Sequence, residues 1–161
     1  MQNAGAYPID LNIESKLVWS PHYYNTGVSP AWYLYGGGTQ GEEGALGDYV
    51  ELSDEDLKYN IEKTMDAMFG YLRESSSYAM VMGEFAGLYS KDKHPMLTTK
   101  RSTDFTIQIM IEKGYAGAYM WSLNPEISGD NDLHPWRETT QCFPADKSVV
   151  EYQICREPTL L

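Results

Sequence analysis

The chain has 161 residues, 42% apolar and 22% charged, the composition of one globular domain with its own core. A formal net charge of -11 argues against a nucleic-acid-binding protein and equally against attachment to an anionic membrane surface. No apolar run approaches the roughly 18 to 20 residues of a spanning helix. Met1 to Gly5 lacks the basic and apolar regions of a secretion signal, so no export signal is expected in this chain.

Lys16 to Tyr24 (Lys-Leu-Val-Trp-Ser-Pro-His-Tyr-Tyr) opens with Leu17, Val18 and Trp19, which suit a buried strand. Pro21 cannot donate to a ladder and is expected to end it. Gly27 to Gly47 reads as a long loop, with Gly36, Gly37 and Gly38 in series beside Trp32, Tyr33 and Tyr35. Loops of that length are usually functional or without fixed structure. Ser53 predicts a helix N-cap, followed by Asp54, Glu55 and Asp56 where the helix dipole favours anions. Leu57, Ile61, Met65, Phe69 and Leu72 then recur at helical spacing, and the serines at 75 to 77 end the run.

Tyr78 to Gly87 (Tyr-Ala-Met-Val-Met-Gly-Glu-Phe-Ala-Gly) predicts a second strand. A polar loop, Ser90 to Arg101, leads to a second helix from about Ser102 to Lys113, in which Phe105 and Ile109 share a face and which Gly114 stops. Gly117 to Leu123 reads as a third strand. After Pro135 the pattern is irregular, with at most a short strand at Ser148 to Ile154. The chain thus divides into residues 1–135 and a tail, 136–161. Cys142 and Cys155 fit no zinc or redox motif, so neither metal nor cofactor is expected. A disulfide between them stays open, tied to whether the protein is extracellular.

Apolar strands alternating with helices predict an α/β fold with a parallel sheet. In such sheets ligands gather at the C-terminal strand ends. There the chain places His22 and Tyr24, then Glu84, then Trp121 and Asn124. Carboxylates are almost never fully buried without a partner, so Glu84, closing an apolar run, is either a solvated strand end or a positioned group. Singly, each residue has an ordinary explanation: His22 as a structural histidine, Tyr24 as a cap on the core, Trp121 as core. Together they suit glycoside hydrolysis. A carboxylate attacks the anomeric carbon, a phenol orients it, an imidazole binds a hydroxyl, and an indole covers a sugar ring. An aromatic share of 13%, with 13 Tyr and 4 Trp, fits such ligands.

Three segments carry a more specific signal: Lys16 to Tyr24, Met82-Gly83-Glu84-Phe85, and Tyr119 to Asp130 (Tyr-Met-Trp-Ser-Leu-Asn-Pro-Glu-Ile-Ser-Gly-Asp). In that order they resemble strands six to eight of glycoside hydrolase family 5, the cellulase family, over about residues 4 to 130. The resemblance implies a partial (β/α)8 TIM barrel and a retaining endo-β-glucanase that hydrolyses O-glycosyl bonds in β-linked polysaccharides. It implies Glu84 as nucleophile, His22 and Tyr24 as the paired active-site histidine and tyrosine, and Trp121 lining the sugar subsite. Asn124 and Trp32 would be further substrate contacts. It also implies an extracellular setting.

The departures are equally specific. The family's acid/base glutamate lies in an Asn-Glu-Pro motif after the fourth strand, and this chain has none; Asn124-Pro125-Glu126 reverses the order. Strands one to five are likewise missing, so the partner implied is an N-terminal barrel half, and this chain alone is expected to be inactive or nearly so. Two alternatives remain: a non-catalytic carbohydrate-binding or degenerate relative, and an acidic α/β interaction domain.

Overall fold

A computed structural model of the protein describes residues 1–7, 9–13, 16–25, 31–37, 39, 40, 46, 47, 49–87, 89 and 92–121. Within them run β1 (Val18–Trp19), β2 (His22–Tyr24), β3 (Thr39–Gln40), β4 (Leu46–Gly47), α1 (Asp54–Met65), α2 (Leu72–Ser75), β5 (Ala79–Ala86), α3 (Thr98–Glu112) and β6 (Gly117–Met120). The fold is α/β with a small parallel sheet: β1, β2 and β6 all pair with β5 in parallel. Phe85 lies opposite both Tyr23 and Met120, so β2 and β6 flank β5 on its two sides. Asn124, Cys142, Cys155, the expected strand at 148–154 and the tail at 136–161 lie outside the described residues.

Several boundaries differ from expectation. Pro21 interrupts the first strand without ending it, and the line resumes at His22 as β2. The missing proline donor falls at the break, while the Pro21 carbonyl still accepts from the Gly83 N–H at 2.8 Å. The glycine-rich loop holds a 3-10 turn at Trp32–Leu34 and an antiparallel ribbon of β3 and β4. The second helix starts at Thr98, ahead of the expected Ser102. Leu97 has a left-handed φ of 53° and offers no side-chain cap; Asp92 accepts the first-turn Lys100 N–H at 2.9 Å, and Glu51 accepts from Met96 N at 3.0 Å and from the Thr98 hydroxyl at 2.5 Å.

The first helix forms as its pattern requires. Ser53 Oγ accepts from Asp56 N at 3.1 Å, a cap worth about 1 kcal/mol. A five-residue π turn, Asp66–Gly70, joins α1 to α2. Leu57, Ile61, Met65, Phe69 and Leu72 are all buried, each contributing on the order of 1.5–3 kcal/mol. Arg101, at the start of α3, reaches Asp54 at the start of α1 at 2.8 Å. Lys113, just past the end of α3, reaches Glu62 and Asp66 near the end of α1 at 2.7 and 3.1 Å. Like ends meet, so the helices run side by side in parallel over one sheet face.

Burial alternates along the strands. Trp19, Pro21, Tyr23 and Asn25 are buried, whereas Val18, Ser20 and His22 are exposed and Tyr24 is half-buried. Met80, Met82 and Phe85 join Trp19 and Tyr23 in one core with the helices. Tyr119 and Trp121 lie on the opposite face and are exposed, as is Val18. Parallel sheets normally have both faces covered. Among the described residues no element covers the face turned away from the helices or pairs with the outer edges of β1 and β6, an arrangement that favours association. Sedimentation velocity over a concentration series should show a rising average mass; a monomer at every concentration would contradict this.

Candidate active site

Period-two alternation would bury Glu84 with Met80 and Met82. It does not, because β5 holds one residue more than its neighbours. From Met82 to Phe85 it advances three residues while β6 advances two, from Ala118 to Met120. The same slip occurs on the other edge, where Trp19 pairs Met80 but His22 pairs Glu84. The bulge returns Phe85 to the core and turns Glu84 to the open face, beside His22 and Tyr24. Such bulges are rare in parallel pairs and common beside active sites, where they re-aim a side chain.

The Tyr24 phenol donates a hydrogen bond to Glu84 Oε2. His22 Nδ1 lies 3.4 Å from the same oxygen, and the side chains of His22 and Glu84 are 51% and 29% exposed. The His22 and Tyr24 rings meet edge to face at 6.3 Å. Among the described residues, both contacts of the Glu84 carboxylate are made through Oε2. Gly83 makes the arrangement fit: a Cβ there would stand 2.5 Å from Ser20 Oγ and 3.0 Å from His22 Nε2. Partial burial, then the hydrogen bond to Glu84 and its charge, push the Tyr24 phenol up to about 12. Tyr24 therefore remains a donor throughout the neutral range.

The other expected residues are less closely tied. Trp121 follows β6, its N–H donating to the Phe85 carbonyl at 3.0 Å, with a half-exposed ring on the same face as Glu84. Trp32 is exposed in the turn after β2 and has no hydrogen bond or ring contact with the Glu84 group among the described residues. No carboxylate besides Glu84 joins that group among the described residues, and none of their His, Cys, Asp and Glu clusters could hold a metal.

Two features escaped the sequence reading. Asn25 is buried, and its amide donates to the Thr99 carbonyl at 3.0 Å and Thr103 Oγ1 at 2.9 Å. Its signal was a polar residue in the buried phase of the first strand line. The second is a chain from the buried Asp92 carboxylate to His94 Nδ1 at 2.5 Å, then from His94 Nε2 to the Tyr35 hydroxyl at 2.7 Å. It joins the loop after β2 to the loop after β5, and no local pattern marks it.

Backbone strain sits beside the nucleophile candidate. Ala86 has φ of 93°, a region L-residues avoid, at a cost on the order of 1–3 kcal/mol. Compared with family models, curated proteins and solved structures, the chain matches none.

Two outcomes are expected. Because the folded state holds the Tyr24 proton more tightly than its ordinary 10.0, that stabilisation is present below pH 10 and lost toward about 12. Urea titrations should show unfolding free energy falling over that window, less steeply in Tyr24→Phe. The fall persists in part, because burial also pushes Tyr115 up to about 12. Gly83→Ala should displace His22, seen as loss of the His22–Tyr24 ring cross-peaks by NMR while core signals persist.

Proposed function

We propose that this chain is the nucleophile-bearing part of a retaining β-glycan hydrolase, an endo-β-glucanase resembling the cellulase family. Its strand line β1–β2, β5 and β6 would be an arc of a partial (β/α)8 barrel. The observation that carries the reading is the Tyr24 phenol bonded to one oxygen of a Glu84 side chain that stays 29% exposed at the mouth of the central strand. In this reading Oε1 attacks the anomeric carbon from the side opposite the leaving group, and the glycosidic oxygen departs as a glycosyl ester forms on Glu84. Tyr24 keeps the carboxylate oriented. His22 lies close enough to hold Glu84 or a sugar hydroxyl, and the Trp121 indole offers a ring-sized apolar face. The setting is extracellular. The acid/base carboxylate and the rest of the barrel come from another polypeptide segment.

A second reading, glycan binding without turnover, draws on one observation: the Glu84 group holds no second carboxylate among the described residues. Asp92 does not supply one, being buried and engaged with His94 and with the backbone N–H groups of His94 and Lys100.

Labelling separates the readings. A 2-deoxy-2-fluoro-β-cellobioside with an activated leaving group needs no general acid to glycosylate a nucleophile. Mass spectrometry of the treated chain should show one adduct, mapped to Glu84 and absent in Glu84→Gln, with no reducing ends released from cellulose. An adduct elsewhere would overturn the nucleophile assignment; glycan binding without any adduct would favour the second reading.

A further inference from the structure

The β5 end that carries Glu84 is held in an unfavourable backbone state, and the contacts that hold it converge on Asn25. Ala86 is buried with φ of 93°. The Asn25 N–H donates to the Ala86 carbonyl at 3.2 Å, continuing the ladder past Tyr24. A Cβ at Gly87 would stand 1.8 Å from Asn25 Oδ1, so the amide lies directly against the Gly87 backbone. The other end of that amide is anchored in α3, at the Thr99 carbonyl and Thr103 Oγ1, both in the helix's first turns. These acceptors are themselves ordered: Thr103 Oγ1 and Ser102 Oγ also donate to the Thr99 carbonyl, at 3.0 and 2.9 Å. One residue thus ties three elements: its backbone N–H joins the end of β2 to the end of β5, and its side-chain amide packs against Gly87 and bonds the start of α3.

We propose that Asn25 is a positioning residue: with its side-chain amide anchored in α3 and pressed on Gly87, it holds the backbone bond to Ala86 and the strained end of β5 that keeps Glu84 under the Tyr24 hydroxyl. Asn25 directly follows Tyr24, and Ala86 lies two residues beyond Glu84. The clamp therefore fixes donor and acceptor from adjacent strands at once. Strained backbone persists only where its surroundings over-determine it, and Asn25 supplies that constraint. Its consequence for chemistry rests on the reading of Glu84 as a nucleophile; its geometric consequence does not.

The test uses the full chain and two readouts. The Tyr24 hydroxyl proton, bonded to a carboxylate, should appear as a downfield proton resonance that vanishes in Tyr24→Phe. In Asn25→Ala, with helical circular dichroism retained, that resonance should disappear into exchange with water. Labelling by the activated fluorocellobioside should slow roughly a hundredfold, the scale of a small misplacement. Adding Ala86→Gly to Asn25→Ala should restore the resonance in part, because glycine adopts positive φ without cost. A purely packing role for Asn25 predicts no such rescue. If Asn25→Ala does not fold, Thr103→Val, which removes one acceptor at nearly constant volume, should weaken the resonance. A resonance unchanged in a folded Asn25→Ala or Thr103→Val chain overturns the proposal, as does failure of Ala86→Gly to restore it. If the resonance responds as expected but the unsubstituted chain takes no label, the clamp is supported and the hydrolase reading fails.

Discussion

The extra residue in the central strand is the constraint on which the candidate site depends. Met80 and Met82 face the helices, and strict alternation would send Glu84 into the same layer. An unpaired carboxylate there would cost several kcal/mol or lose its charge. The bulge resolves the conflict by placing Gly83 and Glu84 consecutively on the open face and returning Phe85 to the core. Because the slip appears against both neighbours, it is a property of β5 itself. The chain accommodates it with a glycine where a side chain would strike Ser20 and His22, and with a break in the first strand at Pro21.

The distortion has to be held from outside the strand. Trp121 N bonds the Phe85 carbonyl and Asn25 N bonds the Ala86 carbonyl, one from each flanking line. Both contacts sit within two residues of Glu84. A bulge at the end of a strand would otherwise fray, since strand ends have few partners. Here the end of β5 is over-determined, and that rigidity suits a group that must keep one geometry.

The start of α3 acts as the hub for this support. Glu51, before α1, holds the Thr98 hydroxyl and Met96 N, Asp92 accepts its Lys100 N–H at 2.9 Å, and Arg101 reaches the Leu52 carbonyl at 3.1 Å. Asn25 enters the same region from the end of β2. Through Tyr35, His94 and Asp92 the loop after β2 is bonded to the loop after β5. The loops that follow the strands are thus anchored to a single helix terminus, at the strand ends where the Glu84 group lies. On the face turned away from the helices, Val18, Tyr119 and Trp121 are exposed.

The sequence by itself determined the local elements and their order. Ser53 and the spacing of Leu57, Ile61, Met65, Phe69 and Leu72 specify a helix because capping and helical periodicity act within a few residues. The apolar runs specify strands for the same reason, and their alternation with helices implied parallel pairing. It also placed His22, Tyr24, Glu84 and Trp121 at strand ends, which follows from chain position alone. What it left undecided were contacts between residues far apart in the chain. The start of α3 is held by Asp92, which accepts the Lys100 N–H, and by Glu51, which bonds Met96 N and the Thr98 hydroxyl from far away in the chain, so the helix start at Thr98 depends on contacts outside the helix. The break at Pro21 passed for an end because the compensating N–H belongs to Gly83, on another strand. Above all, the face on which Glu84 lies is decided by register, and register is a relation between strands. Only the tertiary structure, by fitting β5 against neighbours one residue shorter, turned a carboxylate at the end of an apolar run into a group bonded by Tyr24 and flanked by His22.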